Sequence, residues 1–282
     1  MMRNISEDGK TITLHKFDGL EPCVRKKQDG DLLACIVDVE TTGLGDTDRV
    51  IQLSVRPFYY CPETFEVTGI VKPMEFLQDP GEQLRPEIIE LTGITDEQIK
   101  GKEIDWNWVR SMLDRCKFVI THNAKFDRGA IDRELIRAGL QTTEKTVWAC
   151  SVKQIEWRSW CRPSAALEVL AAWSGFFYDA HRADVDTAAL LHLLRREKRL
   201  KELLTNASKP EVRVYAAGFS RDLNSSLKRR WYSWDANLKV WYKSVDGAEA
   251  ASEEIEWLKK TSNACDPQTL EIPPEQRFSA EA

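Results

Sequence analysis

Two acidic residues, separated by a single residue, stand at the end of an apolar run. Asp38 and Glu40 follow Leu32–Val37, a short β-branched segment that predicts a buried strand, and Gly43 and Gly45 then indicate a turn. Side chains two positions apart on a strand point to the same face. Burying two like charges together is unfavourable unless a cation neutralises them, and Mg²⁺ or Mn²⁺ prefers carboxylate oxygens. The pair therefore indicates a divalent-metal site, with two solvated acids at a strand end as the alternative.

Three more residues follow the same pattern of lying where a predicted element begins or ends. Asp127 comes just after the apolar segment Phe118–Thr121, in the first turn of a predicted helix, and His181 and Asp186 stand at the start of the helix predicted at Ala183–Leu200. Singly, an acid in a first helical turn is explained by the helix dipole, and a loop histidine is usually a surface residue. Together, four carboxylates and a histidine suit two-metal phosphodiester hydrolysis, with the histidine able to take a proton at neutral pH.

The elements that must position these residues form a mixed sheet flanked by helices. Strands are predicted at Leu32–Val37, Val50–Tyr59, Phe65–Val71 and Phe118–Thr121. Helices are predicted at Glu87–Leu91, around Trp106–Leu113, from an N-cap at Asn123 to about Ala138, at Ala165–Trp173 and at Ala183–Leu200. The segment from Pro73 to Pro86 is predicted to be a loop.

Changes in composition divide the chain into four parts. Residues 1–30 form a polar extension with one strand-like run at Thr11–Leu14, and 31–204 hold the acidic pattern. After a linker at Asn206–Pro210, residues 211–261 predict a small α+β module, and the proline-containing segment 262–282 is predicted to be disordered. The module combines basic residues with Trp231, Trp234 and other aromatics. These side chains could bind nucleic acid or simply form the module's core, and the sequence leaves both readings open.

The overall composition is that of a globular protein, with 42% hydrophobic residues among 282 and a formal net charge of −5. Many nucleic-acid binders are basic, but a carboxylate-rich metal site adds negative charge that bound cations offset. The seven cysteines are scattered and odd in number, with no CxxC pair, and such unpaired thiols are ordinary in a reducing compartment. With no apolar leader in the first twenty residues and no membrane-length apolar run, we expect a soluble, cytoplasmic protein without a membrane partner.

Three short stretches resemble the motifs of a known family. DVETTGL, THNAKFD and HRADVD are similar, in order and spacing, to the three exonuclease motifs of the DnaQ-like superfamily, in its histidine-bearing DEDDh branch. The resemblance extends over roughly residues 30–200. It implies an RNase H-like mixed five-stranded sheet flanked by helices, followed here by the small C-terminal α+β appendage.

The resemblance also implies a role for each matching residue. Asp38, Glu40 and Asp186 would hold the ion that activates water, Asp38 would bridge to a second ion, and Asp127 would complete the site for two Mg²⁺ or Mn²⁺ ions. His181 would be the general base. The residues expected to contact the terminal nucleotide are Thr41, Thr42, Gly43, Leu44 and Asn123.

The expected activity is 3′→5′ hydrolysis of a single-stranded or 3′-ended nucleic acid, with release of nucleoside 5′-monophosphates. DNA is favoured, in replication or repair, because DVETTGL resembles the proofreading members; trimming of RNA by the same chemistry is the alternative. A catalytically silent nucleic-acid-binding protein is the alternative of a different class, although all five site positions are filled. The segment Gln268–Ile272 faintly resembles a sliding-clamp-binding peptide, so a clamp or a polymerase is a weakly supported partner.

Overall fold

A computed structural model describes residues 4–5, 7–8 and 10–279. Its strands are β1 (Asn4–Ile5), β2 (Ile12–Thr13), β3 (His15–Lys16), β4 (Leu32–Thr41), β5 (Val50–Tyr60), β6 (Val67–Ile70), β7 (Met74–Leu77), β8 (Phe118–Thr121), β9 (Trp148–Cys150), β10 (Phe176–Phe177), β11 (Glu211–Tyr215), β12 (Ser233–Asp235), β13 (Val240–Asp246) and β14 (Gln268–Ile272). Its α-helices are α1 (Pro86–Thr92), α2 (Asp96–Ile99), α3 (Trp106–Arg115), α4 (Ala124–Arg137), α5 (Leu167–Trp173), α6 (Ala183–Arg196), α7 (Leu200–Ala207), α8 (Asn224–Arg229) and α9 (Gly247–Thr261). Short 3₁₀ turns span Arg221–Leu223 and Pro274–Gln276.

The main sheet has β4 at its centre. Its strand order is β6-β5-β4-β8-β9, and β7 pairs with the part of β5 that β6 leaves free. Strand β4 is antiparallel to β5 and parallel to β8, which is parallel to β9. The carboxyl ends of the three parallel strands therefore meet at one edge of the sheet. This arrangement confirms the expected mixed sheet flanked by helices, but the sheet has six strands where five were expected, because β7 adds a second pairing to the long strand β5.

Alternate side chains of β4 pack into two separate cores. Ala34 and Ile36 belong to the core that contains Leu190 of α6, whereas Cys35 and Val37 belong to the core on the other face, which α3 and α4 cover. Because side chains alternate along a strand, Asp38 continues the face that is turned towards α6. The strand pattern thus decides which helix can meet the acids of β4.

Several elements differ from those expected from the sequence. The predicted loop between Pro73 and Pro86 contains β7 and begins α1, and the fifth strand position is filled by β9, whose three residues are too few to show alternation. The helix expected to run to Leu200 ends at Arg196, because Lys198 adopts a left-handed φ of 54°. Helix α7 then runs to Ala207, so the first two residues of the linker expected at Asn206–Pro210 are helical.

The C-terminal residues form a second sheet of order β12-β13-β11-β14, on which α9 packs. The prediction that 262–282 is disordered is wrong for residues 262–279, which the structure describes, because Gln268–Ile272 pairs along its whole length with β11. Prolines in that segment suggested disorder, but Pro273 and Pro274 lie just after the strand, where no ladder hydrogen bond is lost. The division of the chain at 30, 204, 211 and 261 remains a prediction.

The N-terminal extension contributes two short pairings. Strand β2, within the strand-like run Thr11–Leu14, pairs with β1, and β3 pairs with β10 beside the α6 core. All seven cysteines are free thiols. Among the helices of the described residues, none combines the length and the apolar character needed to traverse a bilayer.

Candidate active site

Asp38 and Glu40 lie near the C-terminal end of the central strand β4, paired with residues of β5. Asp38 is in register with Ser54 and Glu40 with Gln52, and the pairing shifts by one residue immediately after Glu40. Both carboxylates are partly exposed, unlike the buried apolar residues that precede them on the same face. The expected placement of the pair on one face at the strand end is therefore what the structure shows.

Asp186 is brought to the pair by the first turns of α6. The start of this helix is fixed to β5, because Arg56 donates to the Asp184 carbonyl at 2.8 Å and the Ala183 amide donates to Gln52 Oε1 at 3.3 Å. The Asp186 carboxylate accepts a hydrogen bond from the Arg182 amide at 2.9 Å. Its direction is thus set by the backbone before any ion binds, and the positive end of the helix dipole favours its charge.

The three carboxylates form one compact cluster. Asp38, Glu40 and Asp186 each offer an oxygen, and these oxygens lie within 4.8 Å of one another. Burial first, and then repulsion between the acids, raises the pKa of Asp38 well above its usual range and that of Glu40 to about 7. Burial also raises the pKa of Asp186. A set of crowded oxygen donors that resist ionisation fits a hard divalent cation, which would remove the repulsion.

Asp127 approaches the cluster from the opposite face of the sheet. It is the fourth residue of α4, is 3% exposed, and accepts from the Val39 amide between the two acids of β4. Burial raises its pKa to about 7, although this amide and those of its own helical turn oppose the rise. It lies next to the three-carboxylate cluster and interacts with it electrostatically, without belonging to the set within 4.8 Å.

His181 stands at the mouth of a cleft that leads to these acids. The cleft has a volume of about 270 Å³, and its walls include Asp38, Asp186 and His181. His181 is exposed and has a left-handed φ of 64°, an uncommon conformation for a residue with a side chain. The structure thus brings the histidine to the same cleft as two of the acids.

The turn after β4 holds the residues expected to contact a nucleotide. Thr41 donates to the Gly43 carbonyl at 2.6 Å, and Thr42 donates to Asp48 at 2.8 Å. A Cβ at Gly43 would lie 2.6 Å from the Arg85 guanidinium and 2.7 Å from the Asp48 carboxylate, so both side chains would have to shift to admit one. Leu44 is 87% exposed, so its side chain is accessible to a ligand at this turn.

A buried ion network, which the sequence did not reveal, connects α4 with this turn. Glu134, 1% exposed, accepts from Arg49 at 2.8 Å, from Arg137 at 2.7 Å and from Gln78 at 3.1 Å. Arg137 also donates to the carbonyl of Asp48, within the turn. The only hint in the sequence was an acid among apolar positions of a predicted helix, which is a weak signal.

Asn123, His122 and two residues of the cleft wall differ in whether their side chains are already bonded. Asn123 occupies the N-cap position of α4 as expected, but its exposed side chain makes no capping hydrogen bond and so remains available for substrate. His122 bonds to Ser151 and to the Ala165 carbonyl, both at 2.7 Å, and its pKa is lowered by burial to about 4. Tyr178 and Glu168 also line the cleft and were not predicted. The pKa of Tyr178 is raised by burial and by Asp186.

A family model described as an exonuclease, RNase T, matches residues 35–194, which is more than half of the chain. The chain belongs to this exonuclease family. It is a hydrolytic 3′→5′ exonuclease of the DnaQ-like DEDDh superfamily, and the cluster of Asp38, Glu40 and Asp186 is suited to the divalent metal on which such enzymes depend.

Similar proteins include much longer chains. The DNA polymerase III PolC-type protein of Listeria monocytogenes is 33% identical to this exonuclease over 124 residues, which cover 42% of this chain and 8% of that protein. The PolC-type protein of Lacticaseibacillus paracasei is 26% identical over 241 residues, covering 81% of this chain and 16% of that protein. The exonuclease thus spans less than a fifth of the length of these relatives.

Solved structures share the fold at low identity. E. coli Exonuclease I in complex with a dT13 oligonucleotide matches with a TM-score of 0.53 and 16% identity, over 83% of this chain and 68% of that chain. Its complex with a dA16 oligonucleotide matches with a TM-score of 0.51 and 16% identity, over 80% and 68%.

Proposed function

We propose that this exonuclease degrades DNA from its 3′ end, one nucleotide at a time, with two Mg²⁺ or Mn²⁺ ions and His181 as general base, releasing nucleoside 5′-monophosphates. One observation carries the proposal. Three carboxylate oxygens from β4 and α6 lie within 4.8 Å of one another, and two of the acids line the cleft that His181 also lines.

Three of the four acids form the cluster described above, and Asp127 lies beside it. Asp38, Glu40 and Asp186 would hold one ion, while Asp38 and Asp127 together would serve a second. Two such ions, when bound, supply an acidified attacking water and a counter-charge for the leaving 3′ oxygen. The Arg182 amide holds the Asp186 carboxylate in place, so this donor needs no rearrangement during the reaction.

The remaining residues handle the proton and the nucleotide. His181, exposed at the cleft, accepts the proton of the attacking water and returns it to solvent. The turn from Thr41 to Leu44 faces the terminal nucleotide, and the exposed Leu44 contacts its base. Asn123, at the start of α4, contacts the same nucleotide through its side-chain amide.

The choice of DNA is supported by the relatives. The similar curated proteins are named DNA polymerase III, and the solved neighbours are in complex with the oligonucleotides dT13 and dA16. A sliding clamp remains a prediction with less support than before, because Gln268–Ile272 is paired with β11 and is not a free tail. A polymerase partner likewise remains a prediction.

Product ladders from end-labelled strands test the proposal. With Mn²⁺, a 3′-labelled DNA strand should release labelled mononucleotide at once, whereas a 5′-labelled strand should shorten stepwise. EDTA should stop both reactions, and Asp186→Asn should be inactive. Large internal fragments would contradict the exonuclease polarity, and faster shortening of the matching RNA strand would replace DNA by RNA as the substrate.

A further inference from the structure

Two further depressions adjoin the cleft of the candidate site through their lining residues. The cleft of about 270 Å³ ends at Ala166. A second depression of about 390 Å³ begins at the adjacent Ala165 and reaches Lys153. A third, of about 650 Å³, shares Lys153 and opens between the exonuclease domain and the C-terminal sheet, where Trp231 lines it. The three depressions thus adjoin one another in order, from Asp38 through Lys153 to Trp231, and are together called the extended groove below.

The two walls of the outermost part of this groove are held firmly together. Arg277, 3% exposed, pairs with Asp246 of β13 at 2.5 Å and donates to the carbonyls of Asn206 and Lys209 at 3.2 Å. Arg128 of α4, 1% exposed, donates to the carbonyl of Arg277 at 2.6 Å. Since buried charged groups are retained only when well paired, these contacts fix the C-terminal sheet against the exonuclease domain. The groove is therefore a built feature of the fold.

Its surface offers a flat aromatic ring and basic side chains. Trp231 is 68% exposed, and the Arg158 guanidinium lies over its ring at 4.7 Å from the centroid. Lys125 and Lys153 are exposed where α4 begins and just after β9, at the same sheet edge as the acids. Unpaired bases stack on exposed aromatic rings, and lysines contact the phosphates between them.

Most of the acids that line the outer depression are already neutralised. Glu254 pairs with Lys243 at 2.6 Å and with Arg230 at 2.8 Å. Asp246 and Glu211 both pair with Arg277. These paired acids therefore repel a polyanion less than their number suggests. Lys125 and Lys153 can accordingly attract its phosphates.

We propose that the extended groove binds the single-stranded nucleic acid that precedes the scissile nucleotide, with a base stacked on Trp231 and phosphates beside Lys153 and Lys125. The assignment rests on the proposed function, since it places the 3′ end at Asp38. It makes the C-terminal sheet a substrate-holding wall and gives Trp231 a role distinct from that of the module's core aromatics, such as the buried Tyr232.

Two substrates of different length separate this binding role from the chemistry. A nitrophenyl ester of a nucleoside 5′-monophosphate occupies only the site near Asp38, whereas a single strand of about twelve nucleotides would also fill the groove. Trp231→Ala should lower kcat/KM for the strand by roughly tenfold, as expected for loss of one base stack, and leave the ester unchanged. Trp231→Phe should restore most of the loss, and Lys153→Gln should reduce the slope of log affinity against log salt by about 0.7.

Trp234 provides the matched control. It is 50% exposed in β12 of the same module, meets Trp241 edge to face with ring centroids 5.5 Å apart, and is absent from the described walls of the groove. Trp234→Ala should therefore leave both substrates unaffected. The groove assignment is wrong if Trp231→Ala changes strand hydrolysis no more than Trp234→Ala does, or if it slows the ester equally. A wild-type enzyme that hydrolyses neither substrate would instead refute the proposed function.

Discussion

Neutralising Glu40 should stabilise the metal-free protein and weaken the metal-bound one. Without a cation, burial and the neighbouring acids raise the Glu40 pKa in the folded state from 4.5 to about 7. At pH 4 the side chain is protonated in both the folded and the unfolded states, so folding carries no electrostatic penalty there. Between pH 4.5 and pH 7 the unfolded chain ionises while the folded protein stays protonated, so the free energy of unfolding falls across this window and is constant above it.

The size of the effect follows from the pKa difference. Each pKa unit corresponds to about 1.4 kcal/mol, so the change at Glu40 destabilises the metal-free protein at pH 8 by at most about 3 kcal/mol. Glu40→Gln removes this penalty. The melting temperature in EDTA at pH 8 should therefore rise by up to roughly 6–12 °C, the range expected for a chain of this size.

Thermal unfolding in EDTA at pH 4 and pH 8, followed by repetition with Mn²⁺, measures both parts of the prediction. Glu40→Gln should nearly match the wild type at pH 4, exceed it at pH 8 in EDTA, and gain less from Mn²⁺ because a ligand is missing. The control variant Glu90→Gln, which neutralises an exposed acid outside the carboxylate cluster, should behave as the wild type under all conditions. If Glu40→Gln is not more stable than the wild type at pH 8 in EDTA, the reasoning from crowded carboxylates fails.

Three other substitutions test separate parts of the site. Asp186→Ala should abolish hydrolysis even in excess Mg²⁺ while its circular dichroism stays native, and near-normal turnover would remove Asp186 from the metal site. His181→Ala should lower kcat by roughly 10²–10⁴ with little change in substrate affinity, and a loss confined to KM would argue against a general base. Gly43→Ala should raise KM more than it lowers kcat, because its Cβ would lie 2.6 Å from Arg85, and unchanged steady-state kinetics would show that the turn does not contact substrate.

The acidic site was accessible from the sequence because each of its members has a local signal. Asp38 and Glu40 end an apolar strand, and Asp127 and Asp186 stand in first helical turns, so element ends could be located without knowing the tertiary fold. Strand alternation then correctly predicted that Asp38 and Glu40 share a face. What alternation could not predict was that α4 lies on the other face, which places Asp127 beside the cluster and not within it.

Features defined by long-range pairing escaped prediction. Strand β14 is an edge strand of five residues, mostly exposed, whose partner β11 lies more than fifty positions earlier. Strand β9 has three residues and no visible periodicity. The contacts of Arg277 are likewise invisible in a proline-containing tail, because they exist only once the tail has returned to α4. In each case the structure of the segment depends on a distant part of the chain, so the segment's own residues do not predict it.

Helix α4 carries Asp127 in its first turn and Glu134 two turns later, about 10 Å along the same axis. One end of the helix reaches the acids, and the other, through Arg49 and Arg137, supports the turn that should touch the nucleotide. A packing change beneath α4, for example at the fully buried Leu135, would displace both ends at once. Nucleotide preference and catalytic rate should therefore vary together among variants of this helix, whereas substitutions in the 43–48 turn can change preference alone.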